Sequence, residues 1–136
     1  MKKRILNKRG QGYIDVVISV LVLVFLLVLI MSVWSMVTLK QDVRYFCGEL
    51  LATATATGKI GDEVTARYYE LCEESRITPT VEFSATYFDA SAKKVQYGEI
   101  IRCSVTCQIT LPGFSDFKLP ISVTVTQSGL SRHYWK

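Results

Sequence analysis

Four cysteines are the residues of this sequence whose possible chemistry is easiest to state: Cys47, Cys72, Cys103 and Cys107. Such residues form disulfides in an oxidising compartment, stay as buried free thiols, or bind a metal. Metal binding is the weakest choice, because there is no Cys-x-x-Cys pair and the one histidine, His133, lies in the tail. We predict no metal site and keep disulfides and buried thiols as alternatives.

Motifs for catalysis are absent from the sequence. It contains no Gly-x-Ser-x-Gly, no His-Glu-x-x-His, and neither a phosphate-binding nor a dinucleotide-binding glycine motif. The acidic run Glu70–Glu74 has the spacing of a solvated helix face. We therefore predict that the protein is not an enzyme and that it uses no cofactor.

Asp15 stands directly before the longest apolar run of the chain. Val16–Leu39 has no charged residue. Its polar side chains are all small hydroxyls: Ser19, Ser32, Ser35 and Thr38. A helix of this length spans about 36 Å, enough to cross a hydrocarbon core of about 30 Å. We predict a transmembrane helix over residues 11–39; a cleaved secretory signal, which the length disfavours, and a buried soluble helix are the alternatives.

The flanking charges predict the orientation of this helix. Five cations and no anion precede it: Lys2, Lys3, Arg4, Lys8 and Arg9. The charges after it are mixed, so the positive-inside rule places the N-terminus in the cytoplasm and residues 40–136 outside. Without the five leader cations the formal net charge of +4 becomes −1, which leaves no basic surface for nucleic acid.

Hydrophobic spacing predicts two helices and then strands in the outer part of the chain. A helical stripe extends the first helix to about residue 56: Val43, Phe46, Cys47, Leu50 and Ala54. Gly58 and Gly61 end this helix, Asp62 is placed to cap a second one, and Pro79 marks the latest end of that second helix.

Beyond Pro79 the spacing of apolar residues changes to two. A first strand contains Val81, Phe83, Ala85 and Tyr87, and residues 89–94 form a turn. A second strand has one apolar face: Ile101, Cys103, Val105, Cys107, Ile109 and Leu111. A turn at Pro112 and Gly113 leads to a strand through Ile121, Val123 and Val125. This alternation is typical of an antiparallel sheet with one buried face, here of about three or four strands.

These elements predict an α+β fold: a long N-terminal transmembrane helix that extends into an amphipathic helix, a short second helix and a small antiparallel sheet. The predicted boundaries are a basic leader over 1–10, the membrane helix over 11–39 and an outer domain over 40–136. Within the outer domain we expect helices over about 40–76 and the sheet over about 80–127. The tail Arg132–Lys136, rich in cations and aromatics, is either a contact surface or a loose terminus.

The strand pattern restricts the cysteine pairing. Cys103 and Cys107 face the same way but lie about 13 Å apart along a regular strand, whereas a disulfide needs Cα atoms within about 7 Å. Both should face the helices that cover the sheet, which carry Cys47 and Cys72. We hypothesise two helix-to-sheet disulfides, each linking one of Cys47 and Cys72 to one of Cys103 and Cys107.

The N-terminal segment resembles the class III signal of type IV pilin-like proteins. Arg9-Gly10-Gln11 is followed by an acid, Asp15, at the fifth position counted from Gln11. The string is most similar to the TadE/TadF-like minor pseudopilins of tight-adherence (Flp) pilus systems, over roughly residues 8–40. In that family a prepilin peptidase cuts after the glycine, which corresponds to Gly10, and Gln11 would become the new N-terminus.

The resemblance implies a structural protein of the bacterial cytoplasmic membrane, single-pass, that is incorporated into or initiates a pilus or pseudopilus at the cell surface. Its partners would be a prepilin peptidase, other pilin or pseudopilin subunits, the inner-membrane assembly platform and the lipid bilayer. Asp15 would serve assembly by pairing with the ammonium of a neighbouring subunit. The alternative is an uncleaved, single-pass accessory subunit of a secretion or conjugation apparatus.

Overall fold

The computed structural model describes residues 8–112 and 118–136. The elements in chain order are helix α1 (Lys8–Thr57), helix α2 (Asp62–Ser75), and strands β1 (Thr80–Ala85), β2 (Ile100–Pro112) and β3 (Lys118–Leu130). This is the predicted α+β fold. The chain divides into two compact units between Val37 and Thr38.

The first unit ends at Val37 and contains the apolar part of α1. It is long and apolar enough to cross a membrane, and none of its most apolar window is buried within the protein. The core helix of a soluble protein would be buried among other elements. Because this segment is exposed, the alternative of a buried soluble helix is disfavoured. Ser32 bonds the carbonyl oxygen of Val28 at 2.9 Å, which satisfies its hydroxyl within the helix.

The second unit is built on a three-stranded antiparallel sheet in the order β1-β2-β3. In its register Cys103 of β2 stands between Phe83 of β1 and Gln127 of β3. One face is buried at alternate β2 positions: Ile101, Cys103, Val105 and Cys107. The other face is polar, with hydroxyl pairs between Ser104 and Thr126 and between Thr106 and Thr124 at 2.9 and 3.0 Å. The predicted alternation is confirmed over β1 and over Ile101–Cys107 of β2, but Tyr87, which was predicted in the first strand, lies beyond its end at Ala85.

The core of this unit lies between the sheet and the helices. The stripe predicted from sequence is entirely buried: Val43, Phe46, Cys47, Leu50 and Ala54. Val64 and Leu71 of α2 join the same cluster. Phe46 meets Tyr68 edge-to-face with ring centroids 5.7 Å apart, and the Tyr68 hydroxyl donates to the carbonyl oxygen of Pro79 at 3.0 Å. Helices α1 and α2 are therefore packed by aromatic contact as well as by burial.

The start of α2 differs from the sequence prediction. Gly61 is the N-cap residue, with φ −143° and ψ −147°, and Asp62 is the first residue of the helix. The carbonyl oxygen of Gly61 accepts the first helical bond, from the amide of Thr65 at 3.0 Å. Asp62 and Glu63 instead stabilise the positive end of the helix dipole from the first turn. The helix ends at Ser75, before Arg76 in the left-handed region and ahead of Pro79.

Residues 89–94 form a turn, as predicted. The Asp89 carboxylate accepts from the amide and hydroxyl of Ser91 at 3.0 and 2.6 Å and from the amide of Ala92 at 3.3 Å. These donors, first of all the Ser91 hydroxyl, lower the pKa of Asp89. The predicted turn at Pro112 and Gly113 falls partly on residues 113–117, which lie outside the described residues.

Candidate processing segment and cysteine pair

The predicted processing site lies within α1. Helical backbone begins at Lys8, so Gly10 and Gln11 are part of the first turns of a helix. A peptidase needs its substrate bond extended, so these turns must open before cleavage. Gly10 and Gly12 favour opening, because each glycine costs a helix about 1 kcal/mol relative to alanine. A side chain at Gly12 would meet no atom within 4 Å.

Asp15 lies one helical turn beyond Gln11 and is exposed. It precedes the uncharged run, so it is the last charge before the apolar segment. Position 15 therefore belongs to the same helix face as position 11, which would carry the ammonium group after cleavage. This placement would bring opposite charges to one side of the helix end.

The structure brings together one pair of the four cysteines. The Cys47 thiol of α1 donates to the carbonyl oxygen of Cys103 in β2 at 3.3 Å. Both residues are fully buried. Burial, followed by the neighbouring Cys47 thiol, raises the pKa of Cys103. Burial also raises the pKa of Cys47. Hydrogen bonds with the Cys103 side chain and the Gln127 backbone lower it, but by less.

Cys72 and Cys107 have different surroundings. Cys107 is buried on the same face of β2 as Cys103, and burial raises its pKa. Cys72 is half-buried on α2, one turn after Tyr68. Burial, followed by a hydrogen bond with Cys72, raises the pKa of Tyr68. All four cysteines are free thiols in the structure, and the two helix-to-sheet disulfides stay a prediction.

Two groups of interactions were not found by sequence reasoning. The first holds the C-terminal tail: Trp135 donates its indole N–H to the Gly58 carbonyl oxygen at 3.1 Å and its amide to the Gln96 side chain at 2.8 Å. Lys94 lies 4.4 Å above the Trp135 ring. The tail is therefore fastened to the domain, which removes the loose-terminus alternative. The tryptophan in this otherwise largely polar tail was the feature of the sequence that could have indicated its attachment.

The second group is an ion-pair network between the helices. Arg67 of α2 reaches Glu49 of α1 at 3.0 Å and Glu70 at 2.9 Å. These two carboxylates raise the pKa of Arg67. No sequence pattern connects Arg67 with a residue of another helix, so only the Glu70 contact, three positions away, was foreseeable.

In the described ranges 8–112 and 118–136, no group of three or more His, Cys, Asp or Glu side chains is arranged to hold a metal ion. The sequence profile of one protein family, described as a domain of unknown function (DUF4320), matches residues 20–136. No curated protein matches the chain. No solved structure matches it.

Proposed function

Since the chain belongs to the DUF4320 family, whose description as a domain of unknown function assigns no activity, we propose its function from its own residues. We propose that it is a minor pseudopilin of the TadE/TadF-like kind, cut between Gly10 and Gln11 and incorporated into a Tad/Flp-type pilus or pseudopilus. The observation that carries the proposal is Asp15, one helical turn after Gln11 and directly before the uncharged run.

Helix α1 supports a role in assembly. Its first part is the exposed apolar segment, and residues 38–57 of the same helix supply the central stripe of the outer core. A subunit held in a fibre through its apolar helix would thus carry its folded domain on the same element. The polar outer face of the sheet suits display to water, because its hydroxyls are solvated or paired across strands.

The charge change on cleavage supports the same proposal. Removal of residues 1–10 takes away five cations and creates one ammonium at Gln11. The leader cations would hold the precursor with its N-terminus in the cytoplasm, and their loss would ease extraction from the membrane. The subunit would then keep Asp15 as its first charged side chain.

Pairing between subunits gives Asp15 its proposed role. A carboxylate costs several kcal/mol when it is desolvated alone, and much less when a cation lies beside it. In a bundle of packed α1 helices, the Gln11 ammonium of one subunit would neutralise Asp15 of the next. Because both charges lie near one end of the helix, the pair would also set the axial register.

The test is the mature N-terminus. The full chain is co-expressed with a prepilin peptidase and a known pilin, and its intact mass is measured after extraction from membranes. We expect loss of residues 1–10. Gly10→Val should block the cut, whereas the matched variant Gly12→Ala should still be processed, because alanine there stabilises the helix against opening by only about 1 kcal/mol and its Cβ has open space.

The second candidate function predicts another result. An uncleaved single-pass subunit of a secretion or conjugation apparatus is favoured by the apolar helix alone, which needs no processing to anchor the domain. If the recovered protein begins at Met1 while the pilin in the same cells is cut, the pseudopilin proposal is wrong and the anchor remains.

A further inference from the structure

The contact between Cys47 and Cys103 joins the two layers of the outer domain at its centre. Cys47 lies in the buried stripe of α1, and Cys103 lies in the middle strand, 56 positions further along the chain. The Cys47 thiol points at the backbone of Cys103, with 3.3 Å between sulfur and carbonyl oxygen. Neither residue is exposed.

The neighbouring contacts hold helix and strand close at this level. Gln127, the β3 partner of Cys103, donates its side-chain amide to the carbonyl oxygen of Arg44 in α1 at 3.2 Å. The Gln127 backbone also lowers the pKa of Cys47, against the larger effect of burial. Rotation of the Cys47 side chain away from the carbonyl oxygen would turn its sulfur toward the Cys103 side chain, which is buried on the same face of the sheet.

We propose that Cys47 and Cys103 are the disulfide pair of this domain, and that Cys72 and Cys107 remain thiols. This narrows the hypothesis of two bridges to one, because the structure brings only this helix thiol against a sheet cysteine among the described residues. Formation of this disulfide in cells rests on the proposed function, which places residues 40–136 outside the cytoplasm, because a reducing cytoplasm would keep both cysteines as thiols.

The oxidation is a thiol–disulfide exchange. One cysteine, as thiolate, attacks a disulfide oxidant such as oxidised glutathione and releases one reduced thiol. The second cysteine then displaces the other, so that two thiols lose two protons and two electrons and the oxidant becomes two thiols. Burial and the raised pKa values keep both cysteines protonated in the folded protein, so the bond forms faster during folding than after it.

The bond would matter to a protein carried by α1. The helix contacts the sheet through apolar packing and a few hydrogen bonds, which yield when the helix is pulled. A covalent link from α1 to the central strand would pass a load on the helix directly into the hydrogen-bonded sheet. The bond would also close a long loop and so raise the melting temperature of the outer domain by about 10–20 °C.

Peptide mapping of the full chain in detergent micelles tests the pairing. The reduced protein is incubated with oxidised glutathione over a range of temperatures, blocked and cut with trypsin. Trypsin places Cys47 in peptide 45–59 and Cys72 in peptide 68–76, but it leaves Cys103 and Cys107 together in peptide 103–118. Fragmentation between Cys103 and Cys107 in the mass spectrometer then assigns the bond in the wild type without any substitution.

Serine variants give a matched control. We expect peptides 45–59 and 103–118 to stay linked in Cys107→Ser and to separate in Cys103→Ser, although both positions are buried on one face of β2. A link that survives Cys103→Ser, a link to peptide 68–76, or no link in the oxidised wild type would overturn the proposal. If the purified protein forms the bond but protein from cell membranes carries free thiols, the outer placement fails and the pairing stands.

Discussion

Alanine in place of Gly58 should loosen the C-terminal tail from the domain. Gly58 ends α1 with φ 63°, and an added Cβ would lie 2.5 Å from the Cβ of His133 and 3.1 Å from the indole nitrogen of Trp135. Two carbons normally stay about 3.5 Å or more apart, so the tail would have to move by about 1 Å. The atom that must yield lies close to the backbone, so a side-chain rotation cannot relieve the clash.

The expected cost follows from three terms. The left-handed backbone costs a non-glycine residue about 1 kcal/mol. Movement of the tail breaks the two hydrogen bonds of Trp135, to Gly58 and to Gln96, which contribute about 1 kcal/mol each. The total of about 3 kcal/mol corresponds to a fall in melting temperature of about 12–24 °C for a domain of this size.

Gly98 provides the matched control. Its φ of 83° is also left-handed, but a Cβ there would meet no atom within 4 Å. Gly98→Ala should therefore cost only the backbone term, about 1 kcal/mol. Adding His133→Gly to Gly58→Ala removes the clashing Cβ and should restore the two Trp135 hydrogen bonds, about 2 of the 3 kcal/mol lost.

The assay is urea unfolding of the full chain in micelles, followed by the fluorescence of Trp135 in a Trp34→Phe background. Because Trp34 and Trp135 are the two tryptophans of the chain, this background reports the tail alone. Equal losses for Gly58→Ala and Gly98→Ala would refute the reasoning, since the two variants differ in the tail contact and share the backbone strain.

Three further predictions concern charge and pH. Asp15→Ala should still be cleaved and inserted, but the amount incorporated into fibres should fall by about tenfold or more, while Asp15→Glu should be tolerated. Immunoblotting of sheared fibres measures the incorporation. Normal incorporation of the alanine variant would show that Asp15 is only a boundary residue. The reduced protein should keep its free energy of unfolding up to about pH 8.5 and lose part of it as pH rises toward the raised pKa of Cys103, because thiols ionise first in the unfolded chain. Urea unfolding midpoints at pH 7, 9 and 10 measure this. Equal midpoints at the three pH values would contradict it. The Asp89 carboxylate should titrate below its ordinary pKa of about 3.9. Its contribution to folding stability is therefore present above about pH 3.9 and is lost as pH falls through the lowered pKa. An NMR titration of the Ser91 amide with a midpoint at or above about pH 3.9 would contradict the hydrogen bonds at Asp89.

Periodic patterns made much of the fold predictable from sequence. The stripe from Val43 to Ala54 predicted a helix to about residue 56, and α1 ends at Thr57. The alternation from Ile101 to Leu111 predicted the central strand, and the predicted face is buried at Ile101, Cys103, Val105 and Cys107. Both succeed for the same reason: one apolar face must leave water, so burial repeats with the geometry of the element.

Local cap chemistry was predictable only in part. Asp62 is a favourable N-cap type, but Gly61 holds that position, with φ −143° and ψ −147°, and Asp62 is the first residue of α2. The carboxylate still acts at the helix end, one residue later. Sequence thus located the boundary within one residue, and the backbone conformation decided which residue caps it.

The order and type of the elements, the apolar segment and the placement of Gly10, Gln11 and Asp15 before it can be read from the amino-acid sequence alone. Which cysteines meet and whether the C-terminal tail is attached cannot. Both follow from the packing of distant segments: Cys47 lies against Cys103, 56 positions away, and Trp135 donates to Gly58, 77 positions away. Periodicity reports which face of an element is buried, whereas contacts between distant residues depend on how the elements pack, which no local pattern encodes.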